Sequence, residues 1–216
     1  MESVSGVGVL DKAVGVLRAL RHHGPLGLAE LQQVTGLPRA TAHRLAVALE
    51  EHGLVRRDPA GRFCLGFELI AMGRAAAEAF PLGELARPAL LALRDATGES
   101  VQLFVREGDA RRCVVSLQSP HGLRWIVPEG ALLPLGLGSA GRVLIASRPT
   151  EWIESVEERE AGVASVSAPV IGRDGIVVAA VSVSGPVERL SRQPGKRFGA
   201  AVVGCAADVA IAVRQW

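Results

Sequence analysis

Four residues within six positions, Arg39, Thr41, His43 and Arg44, carry the chemistry of a surface that can read DNA. An arginine fork bonds guanine O6 and N7 together, and a threonine offers a methyl group to thymine or a hydroxyl to phosphate. The four stand at the front of PRATAHRLAVALEE, where Leu45, Val47 (or Ala48) and Leu49 put apolar groups toward one face. Gly36 and Leu37 make a turn just before, and Pro38 suits a first helical position, where a missing N–H costs nothing. The spacing predicts a helix over about 38–51 that enters a major groove N-terminus first. Arg56, Arg57 and Arg62 come next on a strand–turn–strand pattern around Asp58-Pro59-Ala60-Gly61, placed to neutralise backbone phosphates. From Pro38 to Arg62, five arginines face Glu50, Glu51 and Asp58, a local balance of +2. A charge run alone is more often a solvated face. The turn, the helix and the ribbon together favour DNA.

Enzymatic constellations are not found. Ser139 lacks the GxSxG elbow, because position 137 is leucine. The run 136–141 satisfies GxGxxG, but Pro134 interrupts the strand that should lead into it and Pro149 cuts short the helix that should leave it, so a dinucleotide fold is rejected. His22 and His23 close a helix, and His121 sits in a Ser-Pro-His-Gly loop with no partner nearby in sequence. Glu157, Glu158 and Glu160 interleave with Arg159 as in a solvated loop. Cys113 reads as core, and Trp125 as either a stacking or a buried ring. No catalytic residue, metal site or cofactor is expected.

These residues must be positioned by a chain of 216 residues, long enough for two modest domains. Hydrophobic residues make up 49% and charged ones 21%, so real cores are expected. A net charge of +2 confines any nucleic-acid surface to a local patch. Cys64, Cys113 and Cys205 are odd in number and far apart, as reduced thiols are. No apolar run has membrane-spanning length, and the N-terminus lacks the order of a signal peptide. The expectation is a cytoplasmic protein with no membrane partner.

Helical spacing predicts helices at 9–21 (Val9, Leu10, Ala13, Val14, Leu17, Leu20) and 28–34 before the one at 38–51. With strands near 54–57 and 62–65 these make a winged helix-turn-helix over residues 1–66. An alanine-rich helix, 67–80, forms a linker over 67–81. Residues 82–216 make an α+β domain. It holds helices at 85–97 and 198–213, strands at 100–105 and 112–117, a candidate strand at 123–127, and a hairpin of 163–171 with 176–184 around Arg173-Asp174-Gly175.

The chain resembles the IclR family of transcriptional regulators. The resemblance rests on GLPRATAHRLAVALEEHGLVRRDPAGRFCLG, on PLGLGSAGRVLIA (134–146) and on GVASVSAPVIGRDGIVVAAVSVSGP (162–186). It implies a winged helix-turn-helix followed by an α+β, GAF/PAS-like effector-binding domain with an antiparallel sheet. It also implies a homodimer or homotetramer on a palindromic double-stranded operator, and a small carboxylate or amino acid as effector. GVGVLDKAVGVL and EREAGVASVSAPV look most like the amino-acid biosynthesis subgroup, leucine genes especially, of high-GC bacteria. Alternatives are control of carboxylate or aromatic catabolism genes, or a second domain used only for assembly.

Carried over by position, the effector residues are Ser139 and Ala140, then Val163 and Ser165, then Ser182 and Ser184. Ser155 matches a position that is acidic in some carboxylate-binding members. Two physical arguments agree with the transfer. Residues 139–141 open a short helix with free N–H groups, and period-two placement puts Ser182 and Ser184 on one strand face. The chain departs from the family twice. A helical segment expected before the final hairpin is missing around Ser147-Arg148-Pro149-Thr150, and Trp125 and Ile126 stand where smaller polar residues are usual.

Overall fold

Gly36, left-handed at φ 68°, ends the second of three N-terminal helices and turns the chain into the third. These helices are α1 (Gly8–His23), α2 (Leu28–Thr35) and α3 (Arg39–Glu51). The computed structural model describes residues 7–147 and 151–214. Strands β1 (Val55–Arg57) and β2 (Phe63–Leu65) pair antiparallel, and Leu26 bridges to Phe63, so the ribbon is stitched to the α1–α2 turn. One apolar cluster, including Val16, Leu20, Leu31, Ala42, Ala46, Leu49, Val55 and Phe63, holds the unit. Two expectations shift. Pro38 precedes the helix as its cap residue, because its ψ of 142° is extended. The inward residues of α3 are Ala42, Ala46 and Leu49, with Leu45 only partly covered and Ala48 exposed.

Helix α4 (Glu68–Ala79) buries none of its residues. The chain divides into two compact units after it, at Ala79 and Phe80, so the expected linker helix falls in the first unit.

The second unit starts with α5 (Leu82–Thr97), capped by left-handed Gly98. Strands β3 (Ser100–Glu107), β4 (Ala110–Leu117) and β5 (Leu132–Pro134) come next, then α6 (Ser139–Ile145). Strands β6 (Ile153–Val156), β7 (Val163–Ile171) and β8 (Val177–Pro186), the short α7 (Val187–Leu190) and α8 (Pro194–Arg214) complete it. The sheet is antiparallel throughout, in the order β5-β4-β3-β8-β7-β6. Residues 123–127 are not a strand; Leu132–Pro134 pairs with β4 instead. Residues 148–150, in the stretch where a helical segment is expected to be missing, lie outside the described residues.

Each sheet face has one task. Val101, Leu103, Val166, Ala168, Val181 and Val183 pack under α5 and α8, against Leu90, Phe198, Val202 and Val209. The alternate residues, among them Gln102, Ser165, Ser167, Ser182 and Ser184, point to the opposite side. The β3–β4 pairing steps from Leu103 with Val115 to Phe104 with Cys113, leaving Val114 as an extra residue. A bulge of this kind flips the faces of the strand beyond it. Val115 and Leu117 therefore join the helix-side core, while Cys113 and Arg111 turn to the other side.

The start of α8 is seated on Trp152. Its indole lies where a methyl group on Gly195 or Gly199 would have to go, and Glu154 Oε2 accepts the Gly195 N–H at 2.8 Å. Gly195→Ala should therefore destabilise the protein by about 1–3 kcal/mol, as overpacking does. In a Trp152→Ala background the same change should instead stabilise by about 0.5–1 kcal/mol, the ordinary helical gain of alanine over glycine. Urea unfolding of the four proteins measures this, and an equal cost in both backgrounds would sink the idea.

Candidate nucleic-acid interface and ligand pocket

In the first unit Arg39, His43 and Arg44 are exposed and Thr41 is half-covered, all at the leading end of α3. Among the described residues neither Arg39 nor Arg44 enters an ion pair, so their donors are free for an outside acceptor. The ribbon arginines are more constrained than their sequence suggests. Arg57 pairs with Glu50 at 3.2 Å and lies 4.3 Å from the Phe63 ring centroid. Arg62 pairs with Asp58 at 2.8 Å, and Arg56 lies over Phe67. Asp58 also accepts the N–H groups of Ala60 and Arg62, which closes the ribbon tip and holds its carboxyl below the ordinary carboxylate range. Exposed pairs of this type are weak, so a phosphate can displace the carboxylates.

In the second unit, the sheet face away from α5 and α8 forms the floor of a cavity. Register aligns Ser155, Ser165, Ser184 and Ser100 in one row across β6, β7, β8 and β3. The next row is Ile153, Ser167, Ser182 and Gln102. Residues directly opposite in an antiparallel ladder share a face, so these hydroxyls make one polar patch. Above it, Ser139 at the head of α6 bonds Ser165 and Ser167, each at 2.7 Å. Ser184 donates to Gln102 Oε1 at 2.8 Å, which leaves the Gln102 amide N–H groups without a partner.

Arg111 dominates the electrostatics. Only 3% exposed, it donates to the carbonyls of Pro134 and Leu137 (2.7 Å to the latter) and lies 5.4 Å from the Phe104 centroid. Its Nε has no partner, and no carboxylate pairs with it among the described residues. Burial, aided by the charge of Arg159, pushes the guanidinium down to about 10. Arg159 stacks on Trp125 at 4.9 Å at the cavity edge. Burial lowers its pKa too, with Glu160 working the other way. The acidic run 157–160 is thus more than a solvated loop. Glu158 pairs with Arg142 at 2.9 Å and accepts the Gly138 N–H, while Arg159 and Glu160 line the cavity.

All seven carried-over residues, Ser139, Ala140, Ser155, Val163, Ser165, Ser182 and Ser184, line this one cavity. Sequence reasoning missed Gln102, Arg111 and Arg159. Arg111 was hidden because its side depends on the bulge. The free space is about 40 Å³, a few waters' worth. Cys113, on the same side, has its thiol pushed up to about 12 by burial and is no nucleophile. No group of acidic, histidine or cysteine side chains able to hold a metal occurs among the described residues. No helix among them is long and apolar enough to cross a membrane.

Two family models match the chain. The IclR helix-turn-helix domain matches residues 9–59. The bacterial transcriptional regulator IclR C-terminal model matches 74–156 and 147–211, two stretches that overlap over 147–156. The glycerol operon regulatory protein of Streptomyces griseus is 31% identical over 93% of this chain and 94% of its own. That alignment runs over 238 residues against a chain of 216, so it opens gaps here. The HTH-type transcriptional regulator KipR of Bacillus subtilis is 30% identical over 67% of this chain, which spans 58% of that protein's length. A crystal structure of an IclR homologue from Microbacterium hydrocarbonoxydans, complexed with 4-hydroxybenzoate, superimposes with a TM-score of 0.80. It covers 96% of this chain and 100% of its own at 18% identity, and so shows the fold.

Gly141 tests the geometry around Arg111. A methyl group there would overlap the Leu135 carbonyl and the Arg111 guanidinium. Gly141→Ala should lower stability by about 1–3 kcal/mol, measurable by denaturant melting. Unchanged stability would mean that the 135–141 loop is placed otherwise.

Proposed function

The chain belongs to the IclR family of bacterial transcriptional regulators, and on that premise we propose that it is a DNA-binding regulator whose grip on a palindromic operator is set by a small carboxylate or amino-acid metabolite. The observation that carries the reading is the pairing of two sites on one chain. One is a free basic edge at the front of α3, and the other is a buried, carboxylate-free Arg111 facing a serine-lined cavity. The first has the donors that DNA accepts, and the second wants an anion.

Operator symmetry is a consequence of assembly. Two copies related by a two-fold axis present two recognition helices and demand two half-sites. Helix α4 supports a homodimer, with a homotetramer as the larger form, because Phe67, Ile70 and Met72 lie exposed on or beside a helix with no buried residue. Control by a metabolite requires only that the ligand bind the DNA-competent and DNA-incompetent states unequally. The genes served are those of amino-acid biosynthesis, leucine included; selection of bound fragments from the native genome tests this, and sites confined to catabolic genes overturn it. An assembly-only second domain leaves the buried Arg111 Nε and Gln102 amide nitrogen without partners.

Arg39→Ala and Arg44→Ala should each weaken operator binding by about 1–3 kcal/mol with unchanged folding. Arg57→Ala should weaken all sequences alike and reduce the slope of log K against log salt by about one unit. Gel-shift titrations on operator and scrambled duplexes read both. Wild-type affinity in the α3 variants would remove that helix from the groove.

A further inference from the structure

We infer that Glu50, at the end of α3, is a positioning residue that aims the Arg57 fork at a DNA phosphate. This rests on the reading of Arg57 as a backbone contact and gives the acid beside it a role. A carboxylate is out of place here on two counts. Glu50 lies in the last turn of α3, where the helix dipole disfavours an acid. It also brings negative charge to the unit that must approach a polyanion. What it holds is Arg57, whose Nε–H it accepts through Oε2 at 3.2 Å.

The guanidinium is fixed from two sides. Arg57 stands directly opposite Phe63 in the β1–β2 register, and its Cζ lies 4.3 Å from the Phe63 ring centroid. That residue is itself held, being 2% exposed and bridged to Leu26. The ring takes the face of the guanidinium, and Glu50 takes its Nε edge. The two Nη groups make no hydrogen bond among the described residues, so the outer end of the fork is open. Paired Nη donors are what grips a phosphate through two oxygens. Arg62 shows the contrast, because Asp58 Oδ2 takes its Nε and Nη2 together, both at 2.8 Å. An arginine already held has little rotamer freedom left to lose when it binds.

Fluorescence anisotropy of a mixed-sequence duplex titrated with the full chain at low salt tests this, since a phosphate contact carries no sequence information. Charge alone predicts that Glu50→Ala tightens binding. Aim predicts that it weakens binding by about three- to tenfold, the cost of ordering one long side chain. Glu50→Gln keeps an acceptor oxygen for the Nε–H and loses the charge, so it should recover that loss. In an Arg57→Ala background, Glu50→Ala should change nothing further. Equal or tighter binding by Glu50→Ala overturns the inference. So does a loss that persists without Arg57, that Glu50→Gln does not recover, or that a lower denaturant midpoint matches. Full affinity in Arg57→Ala overturns the phosphate reading of Arg57 along with it.

Discussion

One extra residue in β4 sets the character of the second unit. Without Val114 standing out of the β3–β4 ladder, Arg111 and Cys113 would join Val115 and Leu117 in the helix-side core. That core is an apolar cluster, in which a guanidinium would be costly to bury. With the bulge, the cation emerges on the face carrying the serine rows, and the 135–141 loop folds around it. Gly141 is required there because the guanidinium and the Leu135 carbonyl already fill the space of a side chain. The bulge, the glycine and the two carbonyls that accept from Arg111 form one arrangement. It keeps a charge buried and its Nε unpartnered. The cost of that desolvation shows in the lowered pKa of Arg111, and a bound anion would relieve it.

Local pattern made much of this legible beforehand. Winged-helix order comes from helix periods, from Gly36 and Gly61, and from the apolar spacing of α1. The final hairpin comes from two apolar-rich runs flanking the Arg173-Asp174-Gly175 turn. Hydroxyls at 182 and 184 share a face by period two alone. What escaped was set by long-range register. Nothing in ARRCVVSL tells which residue is unpaired, so Arg111 looks like any surface arginine. Strand β5 escaped because its three residues pair with β4 across a loop, while the better-looking run at 123–127 has no neighbour to accept its hydrogen bonds. On α3 the expected Leu49 is buried and Leu45 packs against the same core, while Ala42 and Ala46, small residues with a weak apolar signal, complete the inward face.

The two units solve opposite electrostatic problems. Around α3 the cations are solvated and easily held, so their value lies in being uncommitted. Ribbon arginines are lightly tied to Glu50 and Asp58, which orders them without neutralising them for good. In the cavity the cation is costly to hold, and two backbone carbonyls and the Phe104 ring offset only part of that penalty. Under the proposed reading the two conditions are complementary: an output surface that responds to salt and sequence, and an input site that would distinguish empty from filled.

Helix α4 carries a consequence for how such a protein comes into being. Twelve residues with no buried side chain are too few to stay helical alone in water, since nucleation costs more than so short a run of hydrogen bonds returns. In the proposed dimer, the surface that covers Phe67 and Ile70 would also wind the segment. Its helicity would then be a function of protein concentration, by the same mass action that links any folding step to association. In a dilute cell the connection between ribbon and second unit would be a loose tether. It would stiffen as copies accumulate, making the amount of protein itself a signal.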